Sequence, residues 1–262
     1  MNNVIPAMFI AHGSPMVAIE DSEYGAFLDQ LATQVAEPKA ILLFSAHWES
    51  RVQKVSEIEN YSLIYDFGGF PEALYQVKYP ARGDLELSKK VQSLLGEAGI
   101  AYEVERQRGL DHGAWTILKR IYPKANVPVI AMSVNPDATP REQYAIGKAL
   151  ASLREEGVLI IGSGVTVHNF QLFHAQQDRR VHQAVREFET WLAEHLETWD
   201  IDSLFSYEQK APHARLAVPV HGNEHFVPLF YAMGSADRSG QVRQLHLSYM
   251  FNVMTNSVYQ MG

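Results

Sequence analysis

The chain has 262 residues, with 22 lysines and arginines against 30 aspartates and glutamates, a net charge of −8, and no cysteine. An acidic chain without a basic cluster lacks the electrostatic footprint of a nucleic-acid binder. The missing thiols exclude disulfides, iron–sulfur clusters, thiolate zinc sites and cysteine nucleophiles.

No repeat, low-complexity tract or linker marks a boundary, so residues 1–262 read as one domain. No apolar run reaches the roughly 18–20 residues that span a bilayer, and Met1–Met16 has no basic leader region. The expectation is a cytoplasmic protein with neither membrane nor nucleic-acid partners; the sequence leaves its oligomeric state open.

Val4–Ala11 and Ala40–Ala46 are continuous apolar runs of strand length. Between them Glu23–Val35 carries Phe27, Leu28, Leu31 and Val35 at helical spacing, which completes a βαβ pattern. Asp84–Ala98 reads as a helix stopped by Gly99. Val127–Val134 reads as a strand, Pro140–Glu156 as a helix with proline in its first turn, and Val158–Ile161 as a buried strand. Further helices are predicted over Gln183–Leu196 and Glu224–Met233, and late strands over Val242–Met250 and Asn252–Tyr259. Trp199–Gly222 receives no assignment. Alternating strands and helices with continuously apolar strands predict an α/β fold. Its mainly parallel central sheet is flanked by helices, with the site at the carboxyl ends of the strands.

Eleven histidines are present. His12 ends the first strand and His47 the second, 35 positions later, about one βαβ unit. If those strands are neighbours, both imidazoles emerge at one end of the sheet. His168 follows the third such run after a short loop. Imidazole suits zinc and iron, and two histidines with a carboxylate and open positions suit non-haem Fe(II). Glu224 and His225 are adjacent candidates for the remaining ligand, and either one could face the site. His112 heads a short helix and reads equally as a neighbour of its cap. His182 and His195 fall in a charged helix and read as solvated. His174, His213, His221 and His246 read as structural or exposed. Gly162-Ser163-Gly164 lacks the glycine that a serine nucleophile elbow requires, although it could form a loop shaping the site. Asp66-Phe67-Gly68 reads as an ordinary turn whose aromatic residue could line a pocket.

Six segments then occur in order. They are His12-Gly13-Ser14-Pro15-Met16, Ser45-Ala46-His47-Trp48, Asp66-Phe67-Gly68-Gly69-Phe70-Pro71, Asp111-His112-Gly113-Ala114-Trp115, Gly162-Ser163-Gly164 with Val167-His168-Asn169, and Glu224-His225-Phe226-Val227-Pro228. Together they resemble the class III extradiol ring-cleavage dioxygenases, in the DOPA-dioxygenase-like branch of the LigB family. The resemblance implies a mononuclear divalent metal, Fe(II) for ring cleavage, with zinc also seen in bacterial members. It implies His12, His47 and His225 as metal ligands, with His168 close enough to join them. His112 becomes a nearby acid/base or substrate-binding group. Protocatechuate-cleaving relatives use a glutamate as third ligand; here the resemblance favours His225 over Glu224.

Three protein ligands on six-coordinate iron leave two positions for a catecholate and one for dioxygen. The implied reaction opens the ring of a catechol, DOPA-like or otherwise substituted, with O2 to a semialdehyde, with a histidine delivering a proton. His112 and His168 are the candidates for that proton transfer. Trp48, Phe67, Phe70 and Trp115 are candidate walls of the substrate pocket. The competing readings are a zinc-dependent hydrolase and a non-catalytic metal-binding protein on the same fold.

Overall fold

The computed structural model describes residues 4–236 and 241–262. Four strands form the parallel centre of one sheet: β1 (Ala7–Ala11), β2 (Ala40–Glu49), β5 (Val129–Val134) and β6 (Val158–Gly164). Two short strands, β3 (Gln53–Ser56) and β4 (Tyr102–Glu105), extend one edge, with β3 antiparallel to β5. On the other edge β7 (Val242–Met250) and β8 (Met254–Met261) form an antiparallel hairpin, and β8 pairs with β1. The order across the sheet is β4-β3-β5-β2-β6-β1-β8-β7.

Every residue of β1, β5 and β6 is buried. Both faces are covered, so these strands read as unbroken apolar runs rather than alternating ones. On one face Met8, Ile10, Ile41, Leu43 and Ile161 pack with Leu28 of α1 (Glu23–Leu31) and with Trp115 and Leu118 of α4 (His112–Ile121). On the other, Leu42, Phe44, Ile130 and Ile160 meet Val91 and Leu95 of α3 (Leu85–Glu97). Phe9 on that same side packs with Phe188 and Leu192 of α6 (Arg179–Glu197) and with Phe230 of α10 (Pro228–Ser235). A short helix, α2 (Glu72–Tyr75), lies on the β3–β4 connection.

The helix signals act as the sequence suggests. The Asp84 side chain accepts from Leu87 N at 2.9 Å to cap α3, and Gly99 follows in the left-handed conformation at φ +70°. Thr139 and Glu142 form a reciprocal capping box at the start of α5 (Pro140–Ala149).

Several expectations are corrected. β1 and β2 are not neighbours, because β6 lies between them; all three remain parallel, so their carboxyl ends still coincide. Helix α1 ends at Leu31 rather than Val35. The run predicted over Pro140–Glu156 breaks after Ala149 into a separate 3₁₀ segment, Ala151–Glu156. The helix predicted from Glu224 begins at Pro228, which fixes its first turn; Glu224 and His225 therefore lie in the preceding turn. The last strand starts at Met254, because Phe251 and Asn252 hold positive φ in the hairpin turn. The unassigned region folds into α7 (Ile201–Phe205), α8 (Tyr207–Lys210) and α9 (Ala214–Ala217), each too short for periodicity to show.

One buried carboxyl ties α6 to the strand ends. Glu189 is 1% exposed. It accepts from the Thr166 hydroxyl and, at 3.0 Å, from Ser257 Oγ. Thr166 contacts Thr255 at 2.7 Å, and Thr255 Oγ1 accepts from Val167 N at 3.1 Å. Burial pushes the Glu189 carboxyl up to about 7, against the opposing effect of these hydroxyls. Between the ordinary glutamate value and about 7, the folded chain holds a proton that the unfolded chain has released. Stability therefore falls as pH rises through that window, by at most about 1.4 kcal/mol per pH unit for this group. Glu189→Gln removes the term. In urea denaturation at pH 5, 6, 7 and 8, the variant is expected to gain on the wild-type protein as pH rises. A difference that stays constant across the series contradicts this.

Candidate metal centre

The site lies where β1, β2 and β6 end. His12 directly follows β1 and is 1% exposed; its N–H donates to Gly164 O at 3.0 Å, continuing the β1–β6 ladder. The chain then turns at Gly13, whose φ of +62° disfavours a side chain. His47 sits near the end of β2, where the pairing with β5 shifts register between Phe44 and Glu49; such irregularities re-aim side chains. His112 opens α4. His225 occupies the turn before α10, and its carbonyl accepts from Val165 N at 2.7 Å. A Cβ on Gly164 would stand 2.1 Å from that carbonyl oxygen, and one on Gly162 would stand 2.2 Å from Pro228 O. These glycines let the His225 turn lie directly on β6.

Four of the clustered imidazoles, those of His12, His47, His112 and His225, turn Nδ1 toward an oxygen. Ser163 Oγ donates to Gly113 O at 2.5 Å, so its lone pair receives the Nδ1–H of His12 at 3.3 Å. His112 Nδ1 donates to Asp66 Oδ1 at 3.0 Å, and the same oxygen accepts the His112 backbone N–H. His47 Nδ1 lies 3.5 Å from Asp66 Oδ2. His225 Nδ1 donates to Glu224 Oε1 at 2.8 Å. This leaves the Nε2 lone pairs of these four imidazoles as the atoms available to a ligand.

Those lone pairs converge. His12 Nε2 and His47 Nε2 stand 3.1 Å apart. Two nitrogens bound to one divalent ion at about 2.0–2.1 Å lie about 2.9–3.4 Å apart between right-angled and tetrahedral arrangements. The His225 ring centroid is 5.1 Å from that of His12 and 4.8 Å from that of His47. His112 packs on His47 at 3.9 Å. His168, on the loop after β6, stacks on His225 at 3.6 Å with ring planes 12° apart. Two compact trios of possible ligand atoms result, His12–His47–His112 and His168–Glu224–His225, each within 4.8 Å. The sequence-derived set is thus brought into one cavity, with His112 nearer to His47 than His225 is and slightly farther from His12, at 5.5 Å against 5.1 Å.

Burial first, then the neighbouring imidazoles, holds His12 well below the ordinary histidine range. The same two causes depress His47, with Asp66 opposing them. His225 and His168 are lowered to about 3, burial again leading. Neutral imidazoles with unshared lone pairs are the form a divalent cation binds.

These rings form the floor of a cavity of about 500 Å³ whose walls include Phe67, Phe70, Phe170, Phe173, Met250 and Phe251. Phe67 and Phe70 stand where the sequence suggests. Trp48 and Trp115 do not line the cavity: Trp115 is wholly buried and donates to Ile64 O at 3.0 Å, and Trp48 lies beneath the Arg108 guanidinium. Phe170, Phe173 and the β7–β8 turn were absent from the sequence-based set, since nothing local marks them as facing the strand ends. Asp66 is the other addition. Read as part of an ordinary turn, it serves two histidines; burial pushes its carboxyl up, but hydrogen bonds from His112 and the charges of His112 and His47 together depress it to about 2. Gly162-Ser163-Gly164 is a strand rather than a loop, and its serine orients His12. His182 and His195 are half-buried rather than solvated, contacting Gln176 O and Trp191 O at 2.8 Å.

Residues 6–261 match the family described as the catalytic LigB subunit of aromatic ring-opening dioxygenase. The 4,5-DOPA dioxygenase extradiol of Beta vulgaris is 39% identical over 263 residues, 99% of this chain and 97% of that protein. The 4,5-DOPA dioxygenase extradiol of Escherichia coli K12 is 33% identical, covering 89% of this chain and 86% of that one. The crystal structure of an uncharacterized protein from Escherichia coli K12 superposes with a TM-score of 0.79 at 26% identity, covering 98% of this chain and all of that one. The chain belongs to the LigB family and is an extradiol ring-cleavage dioxygenase, an oxidoreductase of the DOPA-dioxygenase-like branch.

Proposed function

We propose that residues 1–262 act as one catalytic domain that opens a catechol ring with O2 to give a semialdehyde, using a single divalent metal, Fe(II). The observation that carries this reading is the convergence of Nε2 lone pairs from imidazoles anchored through Nδ1. In it, His12, His47 and His225 hold the metal, and zinc is an alternative occupant of the same nitrogens. Glu224 acts through His225 as the carboxylate that fixes its tautomer. A ferrous ion held there would bind the catechol and dioxygen together and carry electrons between them.

The remaining side chains handle protons and exclude water. Asp66 holds Nδ1–H of His112, which turns its Nε2 lone pair toward the cavity to take a catechol proton. The same carboxylate then stabilises the imidazolium that forms. His168 is carried on a loop rather than a strand end and is half-buried at the cavity wall, so it moves more freely than His12 or His47. Resting against His225 it would be close enough to join a bound metal; turned into the cavity it would take the second catechol proton and return that proton to the opening ring. The aromatic walls keep bulk water from the reacting atoms. Family membership leaves the hydrolase reading without an observation in its favour.

Oxygen uptake tests the proposal. Protein loaded anaerobically with Fe(II) and then given O2 and a substituted catechol is expected to consume one O2 per ring and yield a yellow semialdehyde. Turnover with zinc in the absence of oxygen contradicts it. In the same preparation, His12→Ala, His47→Ala and His225→Ala are each expected to lose most bound metal, whereas Glu224→Ala weakens it about 10–100-fold. Metal loss in His112→Ala with retention in His225→Ala transfers the third position to His112.

His168→Ala is expected to keep Fe(II) and still bind catechol, with turnover slowed about 10²–10⁴-fold. Stopped-flow absorbance separates binding from ring opening. An unchanged rate removes His168 from the chemistry, and metal loss as complete as in His12→Ala makes it an obligatory ligand.

A further inference from the structure

Resting on the ring-cleavage reading, we propose that the substrate is a catechol whose ring substituent is uncharged and apolar, an alkyl or aryl group rather than one ending in a carboxylate. The cavity of about 500 Å³ has room for a ligand well beyond a single six-membered ring. Besides its histidines, Asp66 and the Gly13-Ser14-Pro15 turn, the lining is aromatic and thioether: Phe67, Phe70, Phe170, Phe173, Phe251 and two methionines. Among the described residues, no lysine or arginine lines it. The one carboxylate that does, Asp66, is occupied by His47 and His112 and repels a second anion. A substrate carboxylate buried against this wall finds no lysine or arginine to pair with among the lining residues, which is unfavourable.

Two features of the outer wall independently point to a ligand. Phe170 and Phe251 are 63% and 55% exposed, large apolar side chains left in water at the mouth of the cavity. Phe251 also holds φ at +55° in a turn closed by Val253 N donating to Met250 O at 3.2 Å. Glycine or asparagine adopts that conformation readily and a bulky aromatic rarely does. The turn keeps a phenylalanine in an unfavourable backbone state, its ring set edge-on to Phe173 at 5.4 Å. An apolar substituent covering these rings removes their surface from water, worth about fourfold in affinity per buried methylene.

The test compares 3-(3,4-dihydroxyphenyl)propionate with its methyl ester, and with catechol, by calorimetry on the anaerobic Fe(II)-loaded protein at pH 7.5, where no turnover occurs. The ester is expected to bind at least tenfold more tightly than the acid. Phe170→Arg places a cation at the exposed rim and is expected to lower the ester-to-acid preference at least fivefold. Equal or tighter binding of the acid, or an unchanged preference in Phe170→Arg, overturns the inference while leaving ring cleavage standing. Failure of catechol itself to bind overturns both.

Discussion

Hydrogen bonding at Nδ1 decides what the other nitrogen of each imidazole can do. Ser163, Asp66 and Glu224 reach His12, the His47–His112 pair and His225 from three separate segments. Because each takes or faces Nδ1, the Nε2 lone pairs are left pointing at one another, with two of them 3.1 Å apart. With Nδ1 protonated on both rings, the 3.1 Å contact between His12 Nε2 and His47 Nε2 carries no hydrogen bond. Protonation would relieve the contact, but burial and neighbouring imidazoles suppress it. A divalent cation is the partner that this arrangement leaves room for.

The sheet supplies the convergence. β6 lies between β1 and β2, which places Ser163 in register with both Ile10 and Ser45. From there its hydroxyl reaches the histidine that ends β1. Gly162 and Gly164 then allow the Glu224–Pro228 turn to settle on β6 without a side chain between. At Gly113 a Cβ would lie 2.9 Å from His47 Cδ2, so a third glycine brings the first turn of α4 against the same cluster. Larger residues at these points would separate the imidazoles that chemistry requires together.

Much of this was legible in the residues. Buried parallel strands leave continuous apolar runs, so β1, β2, β5 and β6 could be seen, and with them the positions of His12 and His47 at strand ends. The partners of Nδ1 could not. Asp66 lies in a turn between short segments, and its value comes from contacts 19 and 46 positions away that no local pattern encodes. The edge strands β3 and β4, four residues each, are too short for an apolar signature. Adjacency in sequence favours adjacency in the sheet, but here the late strand β6 takes the place between β1 and β2. Phe170 opens a short 3₁₀ segment and Phe251 sits in a hairpin turn, so neither carries a periodicity that marks it. Their significance appears only when the cavity brings them to one rim.

Everything proposed for this site turns on three imidazoles meeting at one metal ion. X-ray absorption spectroscopy of the Fe(II)-loaded protein, beside His225→Ala, measures this most directly. The expected spectrum shows the multiple scattering of three imidazoles bound through nitrogen at about 2.0–2.2 Å, falling to two in the variant. A wild-type shell made mainly of carboxylate and water oxygens, or one that His225→Ala leaves unchanged, contradicts it.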